Sequence, residues 1–216
     1  MSSYLLLSAG IGRNMLTKGP KSLLEYNGTT VLDHQIRTIR KVDSNADICV
    51  VLGFHADKII KHILNKKYDI RIVLNQNFKI TSQTESLRFG INAIRETDYY
   101  IIHGDIIFNE QSLKLKKDCS KIVIDKTLTE KKIVGVSHSN GELLHLSFGL
   151  EDKWSQIAYI CRDDFALSRR VINSFKMNKM TYEFLNMLGS HIPFRIHSEK
   201  VKTVEILKNY ENISNQ

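Results

Sequence analysis

Proline is almost missing: 216 residues contain two, Pro20 and Pro193. There is no Gly/Ser-rich tract either, so the chain offers no linker and no clean domain boundary. Only three cysteines occur, Cys49, Cys119 and Cys161, far apart and without CxxC spacing. That excludes a disulfide scaffold and a cysteine zinc site, and points to a reducing compartment. Cys49, inside ICVVLG (48–53), reads as a small buried hydrophobe. His55, His62, His138 and His145 lack HExxH or paired spacing, so they build no zinc centre. No apolar run reaches the ~20 residues of a membrane span. The first one stops at Ser8 and lacks a basic flank, so no secretory signal is expected. These absences predict a cytoplasmic protein without membrane insertion. Long basic runs are missing too. The net charge of +8 is spread through the chain, and pairs such as Lys66-Lys67 and Arg169-Arg170 read as solvated helix ends. A nucleic-acid arm is therefore not expected; the basic balance favours an anionic partner, whether nucleotide, phosphorylated metabolite, nucleic acid or acidic membrane, and does not choose among them.

What is present is a regular alternation. Strand candidates are residues 4–8, 47–53, 70–74, 99–103, 121–124, 133–137, 142–147, 156–161 and 194–197. Several are continuously apolar, as strands covered on both faces are. Helical periodicity places Leu32, Ile36 and Ile39 on one face of 30–42, with Thr30 as cap. It places Ile59, Ile60, Ile63 and Leu64 on a face of 56–64, and Leu87, Ile91 and Ile94 on a face of 84–96. Further helices are expected at 163–175, at 181–188 and after Lys202. Asn140-Gly141 marks a hairpin. The order through residue 105 predicts an α/β fold, a Rossmann-like three-layer α/β/α sandwich. Its sheet is mixed and mostly parallel, with a β-hairpin in the second half. Residues 1–216 read as a single domain with halves at about 1–115 and 116–216.

In such sheets ligands bind beyond the carboxyl ends of the strands. Residues AGIGR (9–13) follow the first strand. Glycine there lets backbone N–H groups approach an anion, and Arg13 offers a fork of donors for phosphate. Lys21, after Pro20, returns a second cation to the same mouth. The loop is not a P-loop, nor the dinucleotide fingerprint, because no helix follows Gly10-x-Gly12 directly. The run YYIIHGDIIFN (99–109) ends a strand in Gly104-Asp105. A carboxylate there suits a divalent cation, Mg²⁺ being held by one or two carboxylates plus substrate phosphates. His103 beside it is a strand-end histidine bonded to backbone, a metal ligand or a proton carrier.

LSAGIGR (7–13), PKSLLEYNGTTVLDHQI (20–36), NQNFKITSQTESLRFGI (75–91) and IHGDIIFN (102–109) together resemble the nucleotidyltransferases with a glycosyltransferase-A-like fold. The likeness is greatest to the small phosphocholine- and phosphonate-type cytidylyltransferases. The resemblance implies Mg-dependent transfer of a nucleoside monophosphate to a small phosphorylated, phosphonate or sugar-phosphate acceptor, with CTP as the expected donor and pyrophosphate released. Such chemistry needs positioning and charge stabilisation. It implies that Ala9, Gly10, Ile11 and Gly12 border the nucleotide, that Arg13 neutralises the leaving pyrophosphate, that Lys21 stabilises negative charge growing on the α-phosphate or held on the acceptor, and that Asp105 binds Mg²⁺. Ser82, Thr84 and Ser86 are either nucleotide contacts or caps of the following helix. The second half, about 116–216, becomes the acceptor-binding half. There Trp154, with Tyr159 and Tyr182, either stacks on an acceptor group or packs a sheet edge. Asp125 is either an acceptor contact or a strand-end turn, and Asp152 and Lys153 are further acceptor candidates.

Two departures stand out. Gly12 adjoins Arg13 where the family pattern has a residue between. The second metal carboxylate of the pattern falls on Lys202 in one alignment of VKTVEIL (201–207) and on Glu205 in another. A non-catalytic nucleotide-binding relative is thus the competing reading, and a basic nucleic-acid module a third.

Overall fold

The computed structural model describes residues 1–12, 15, 19–128, 131–198 and 203–205, the backbone alone at 127–128 and 203–205. In chain order, β1 (Ser3–Ser8) leads through a 3₁₀ turn at Lys21–Leu23 to the small hairpin of β2 (Glu25–Tyr26) and β3 (Thr29–Thr30). Then come α1 (Val31–Val42), β4 (Asp47–Leu52), α2 (Ala56–Asn65), β5 (Arg71–Leu74), α3 (Gln83–Ala93), β6 (Tyr99–His103) and β7 (Ile106–Phe108). The second half holds β8 (Lys121–Leu128), β9 (Val134–Ser139), β10 (Glu142–Phe148), β11 (Asp152–Ile160), α4 (Phe165–Ser174), α5 (Thr181–Gly189), β12 (Arg195–His197) and β13 (Thr203–Glu205).

Nine strands form one sheet in the order β5-β4-β1-β6-β11-β8-β12-β10-β9. The first four are parallel, and β11 turns the sheet antiparallel against β6. The two faces are covered by different helices. Leu6, Val50 and Ile102 pack with Leu32, Ile36, Ile39 and Ile59 of α1 and α2. Their strand neighbours Leu5, Val51 and Ile101 pack with Leu87, Ile91, Ile172 and Phe184 of α3, α4 and α5. This is the period-2 alternation of a strand buried on both sides, and it is the predicted three-layer fold.

Local chemistry sets the elements. The Thr30 hydroxyl accepts from the Asp33 N–H and caps α1, as its position predicts. Asn140 and Gly141 take φ of 50° and 75° between β9 and β10, the paired left-handed conformation of a tight hairpin turn. Cys49 is fully buried, and burial pushes its thiol up to about 12. Other expectations are corrected. Leu64 is exposed rather than part of the α2 stripe, because α2 meets the core along Ile59 and Ile63, with Ala56 and Ile60 packed beside them. α3 stops at Ala93, so Ile94 packs from outside it. Residues 203–205 form a strand against β7 where a helix was expected. β11 begins four residues early, at Asp152, because a bulge interrupts its pattern between Trp154 and Ile157. Among the described residues, no helix is long and apolar enough to cross a membrane.

Candidate active site

The carboxyl ends of β1 and β6 open side by side into a cavity of about 620 Å³. The Gly104 N–H donates to the Leu7 carbonyl at 2.9 Å, which brings the Gly104-Asp105 turn against the glycine loop. A Cβ on Gly104 would lie 2.7 Å from that carbonyl and collide with the Ser8 hydroxyl, so only glycine allows the approach. From beneath, buried Gln35 of α1 donates to the carbonyls of His103 and Ile106, at 2.9 and 2.8 Å. One amide thereby fixes both ends of the turn that carries Asp105.

Lys21 arrives from the other side. Extended Pro20 leads into the 3₁₀ turn, and the Lys21 side chain passes across Gly12, whose φ is +73°. Its Nζ donates to Asp105 Oδ2 at 2.6 Å. The side chains of the pair are 21 % and 27 % exposed. Burial alone would push the Asp105 carboxyl up, but the Lys21 ammonium outweighs it and holds Asp105 below the usual carboxylate range. Burial pulls the His103 imidazole below its usual range; the Asp105 carboxylate opposes this and the Lys21 charge adds to it, and burial prevails. His103 lies edge-on to Trp154, with ring centroids 5.3 Å apart.

Ala9, Gly10, Ile11, Gly12, Lys21, Ser82, Ser86, His103, Asp105, Trp154 and Tyr182 all line this one cavity. Ser82 precedes α3 but makes no cap bond with its side chain; its hydroxyl donates instead to the Lys179 carbonyl. Ser86 accepts from Asn75 Nδ2 at 3.0 Å. The remaining candidates lie elsewhere. Thr84 is buried behind the wall and ties α3 to the carbonyls of Lys176 and Lys179. Tyr159 sits in the core, its ring 5.0 Å from that of Tyr100 and its hydroxyl 3.4 Å from Asp98. It cannot contact an acceptor, because it lies toward the opposite end of β11. Asp125 is neither on the cavity nor at a strand end. It is buried within β8, in register with Lys153. Asp152 pairs with His138 at 2.7 Å, and neither it nor Lys153 reaches the cavity. Arg13 and Lys202 lie outside the described residues. Glu205 is placed by its backbone in β13, opposite Ile106, the residue after Asp105.

Several lining residues carry no sequence signal: Lys132, Phe148, Gln156 and Met180. An exposed lysine and a polar residue within a strand look like ordinary surface. The Phe148 and Tyr182 rings meet edge-to-face at 5.7 Å and make an aromatic far wall. Among the described residues, no three His, Cys, Asp or Glu side chains are grouped to hold a metal ion. A cation at Asp105 would therefore draw most of its ligands from a substrate, as Mg²⁺ does.

The profile of the MobA-like NTP transferase domain matches residues 4–148. Among curated proteins, the bifunctional protein GlmU of Blochmanniella pennsylvanica (strain BPEN) is 27 % identical over 139 residues, 62 % of this chain. The match spans about 30 % of that relative's length. Among solved structures, the CTP:phosphocholine cytidylyltransferase of Streptococcus pneumoniae superposes with a TM-score of 0.78 at 15 % identity, covering 100 % of this chain and 99 % of that one. The inositol-1-phosphate CTP transferase of T. maritima gives 0.75 at 15 %, covering 95 % and 89 %. A UDP-glucose pyrophosphorylase complexed with UDP-glucose gives 0.77 at 15 %, covering 100 % and 97 %. At these identities the likeness is one of fold.

Proposed function

The chain belongs to the MobA-like NTP transferase family, and from that premise we propose that it transfers a nucleoside monophosphate from an NTP to a small phosphorylated acceptor. One observation carries the reading. Lys21 and Asp105, 84 positions apart, meet at 2.6 Å at the lip of the glycine loop. A cation and an acid brought together at strand ends, beside the backbone of a glycine loop, suit a polyphosphate.

A phosphate oxygen of the acceptor attacks the α-phosphorus. A new P–O bond forms, the bond to the bridging oxygen breaks, and pyrophosphate leaves. The backbone of Ala9–Gly12 cradles the phosphates, and Arg13 takes charge developing on the leaving group. The Lys21 ammonium moves from Asp105 to the α-phosphoryl oxygens, where negative charge grows. Asp105 stays ionised near neutral pH and offers hard oxygen donors, so it fits Mg²⁺. Glu205, by its register opposite Ile106, is the second carboxylate we assign to that ion. Bound there, the cation would neutralise phosphate charge and polarise phosphorus. We assign CTP as the donor first, since two of the structural relatives are named for CTP. The surroundings expected are cytoplasmic, where NTPs and free thiols coexist.

Pyrophosphate release, measured over the four NTPs and a panel of phosphorylated acceptors with Mg²⁺, tests this. One pairing should turn over, with Lys21→Ala and Asp105→Ala each lowering kcat by about 10²–10³-fold. Nucleotide binding without release under every pairing would instead mark a binding protein.

A further inference from the structure

The cavity has two unlike walls. The first half of the chain supplies the glycine loop, Asp105 and small polar side chains such as Thr81, Ser82 and Ser86. The second half supplies mostly apolar side chains, Val134, Phe148 and Met180 among them, and one cation, Lys132.

The backbone seats Lys132 on that wall. Phe148 lies in register with Val134, and the Gly149 N–H donates to the Ile133 carbonyl at 3.2 Å. Gly149 takes a φ of +76° and turns the chain against the Lys131 backbone, 3.9 Å from where a Cβ would stand. Glycine adopts that left-handed conformation without steric cost. The open end of the β9–β10 pair thus holds residues 132–134 beside Phe148. Phe148 is 52 % exposed and meets the Tyr182 ring edge-to-face, so an open aromatic face adjoins the cation.

Charge singles out the same lysine. Lysine and carboxylate side chains on the described lining number three, Lys21, Asp105 and Lys132. The first two are paired with each other, which leaves Lys132 as the excess charge.

The chemistry needs a cation there. Both substrates are anions, and the attacking phosphate oxygen must come within about 3–3.5 Å of the α-phosphorus. Attacking and leaving oxygens stand roughly in line. With pyrophosphate on the glycine loop of the first half, the acceptor approaches from the second-half wall. Lys21 is then engaged with the α-phosphoryl oxygens. An acceptor phosphate with no cation of its own would be repelled by the charge it attacks.

Resting on the nucleotidyl-transfer reading, we propose that Lys132 binds the phosphate of the acceptor and that the Phe148–Tyr182 ring pair beds its organic body. Lys132 serves the acceptor and not the nucleotide, and the subsite takes a phosphate monoester or a phosphonate.

Calorimetry tests this on protein loaded with Mg²⁺ and the α,β-methylene analogue of whichever NTP raises Tm most, which cannot release pyrophosphate. The titrants are phosphocholine, glycerol 3-phosphate, glucose 1-phosphate and 2-aminoethylphosphonate. Wild type should bind at least one of them. Lys132→Met should weaken that binding by roughly tenfold to a hundredfold, and Lys132→Arg should keep most of it. Lys132 is exposed, so neither variant should disturb folding. Phe148→Ala should weaken the same titrant severalfold, through the lost ring contact. Affinity for the nucleotide analogue should change far less in every variant, a split that partial unfolding does not mimic. Titrant affinity that survives Lys132→Met, an equal loss for the nucleotide analogue, or no titrant bound by wild type overturns the proposal. Titrant affinity that survives Phe148→Ala removes the ring pair from it. If a titrant binds through Lys132 but no natural NTP releases pyrophosphate with it, the transfer reading fails and the phosphate subsite stands.

Discussion

Gly12 and Lys21 are one structural unit. The lysine reaches Asp105 only by crossing the space where a Gly12 side chain would stand. A methyl group there meets Lys21 Cε, and φ of +73° adds backbone strain of about 1–2 kcal/mol for a residue other than glycine. Gly28 has a similar φ, +75°, and open space around it. Gly28→Ala therefore carries the backbone cost without the collision. Both variants should lower Tm by a few degrees, but only Gly12→Ala should also lower pyrophosphate release, by about tenfold or more, because Lys21 is displaced. Equal loss of turnover in both variants would mean that the Lys21 path does not matter.

At the level of elements, the join between α1 and α2 is a buried polar cluster. Asp33 in the first turn of α1 accepts from Tyr68 at 2.7 Å and pairs with His62 of α2 at 2.8 Å. Burial opposes its ionisation, but the hydrogen bonds from His62 and Tyr68 prevail and hold it at about 2. A carboxyl depressed in the folded state stabilises that state above its unfolded value of 3.8. The contribution, on the order of 2 kcal/mol, is lost as pH falls from about 4 through 2. Tm measured down to pH 2 should show this acid limb in wild type, and Asp33→Asn should flatten it; identical limbs would remove Asp33 as the cause. Thr30→Ala at the same helix start should cost about 1 kcal/mol independent of pH. Elements of this kind are legible in sequence because their signals are local: the Thr30 cap, the Asn140-Gly141 turn, the apolar periods of α1 and α3. The glycine loop, Lys21 and Asp105 are legible for a related reason, since strand-end glycine, cation and acid are out of place in a packed core. Gln35, Gln156 and Lys132 are not, because a polar residue on a helix or strand reads as solvent-facing until its tertiary neighbours are known. The β11 bulge hides for the same reason. Its Ser155-Gln156 break looks like the end of a strand rather than its middle, which is also why Tyr159 was expected near the site and lies in the core.

For the whole molecule, the nine-stranded sheet runs through both halves of the chain, and the two core clusters lie on its opposite faces. The cavity draws its glycine loop and Asp105 from the first half and Trp154, Gln156 and Tyr182 from the second. Heating should therefore melt the protein in one cooperative transition, and a ligand bridging the cavity should raise that transition as a whole. Binding at a hundred times Kd adds about 2.7 kcal/mol. At this chain length each kcal/mol is worth about 2–4 °C, so the matching NTP with Mg²⁺ should raise Tm by roughly 5–10 °C. CTP is expected to give the largest shift of the four. Lys21 and Lys132 line the cavity as cations, so the shift given by a polyphosphate should shrink as salt rises and screens exposed charge. Two resolved transitions, with a nucleotide moving only the first, would mean that the halves are separate units. No shift with any NTP at low salt would remove the triphosphate from the site altogether.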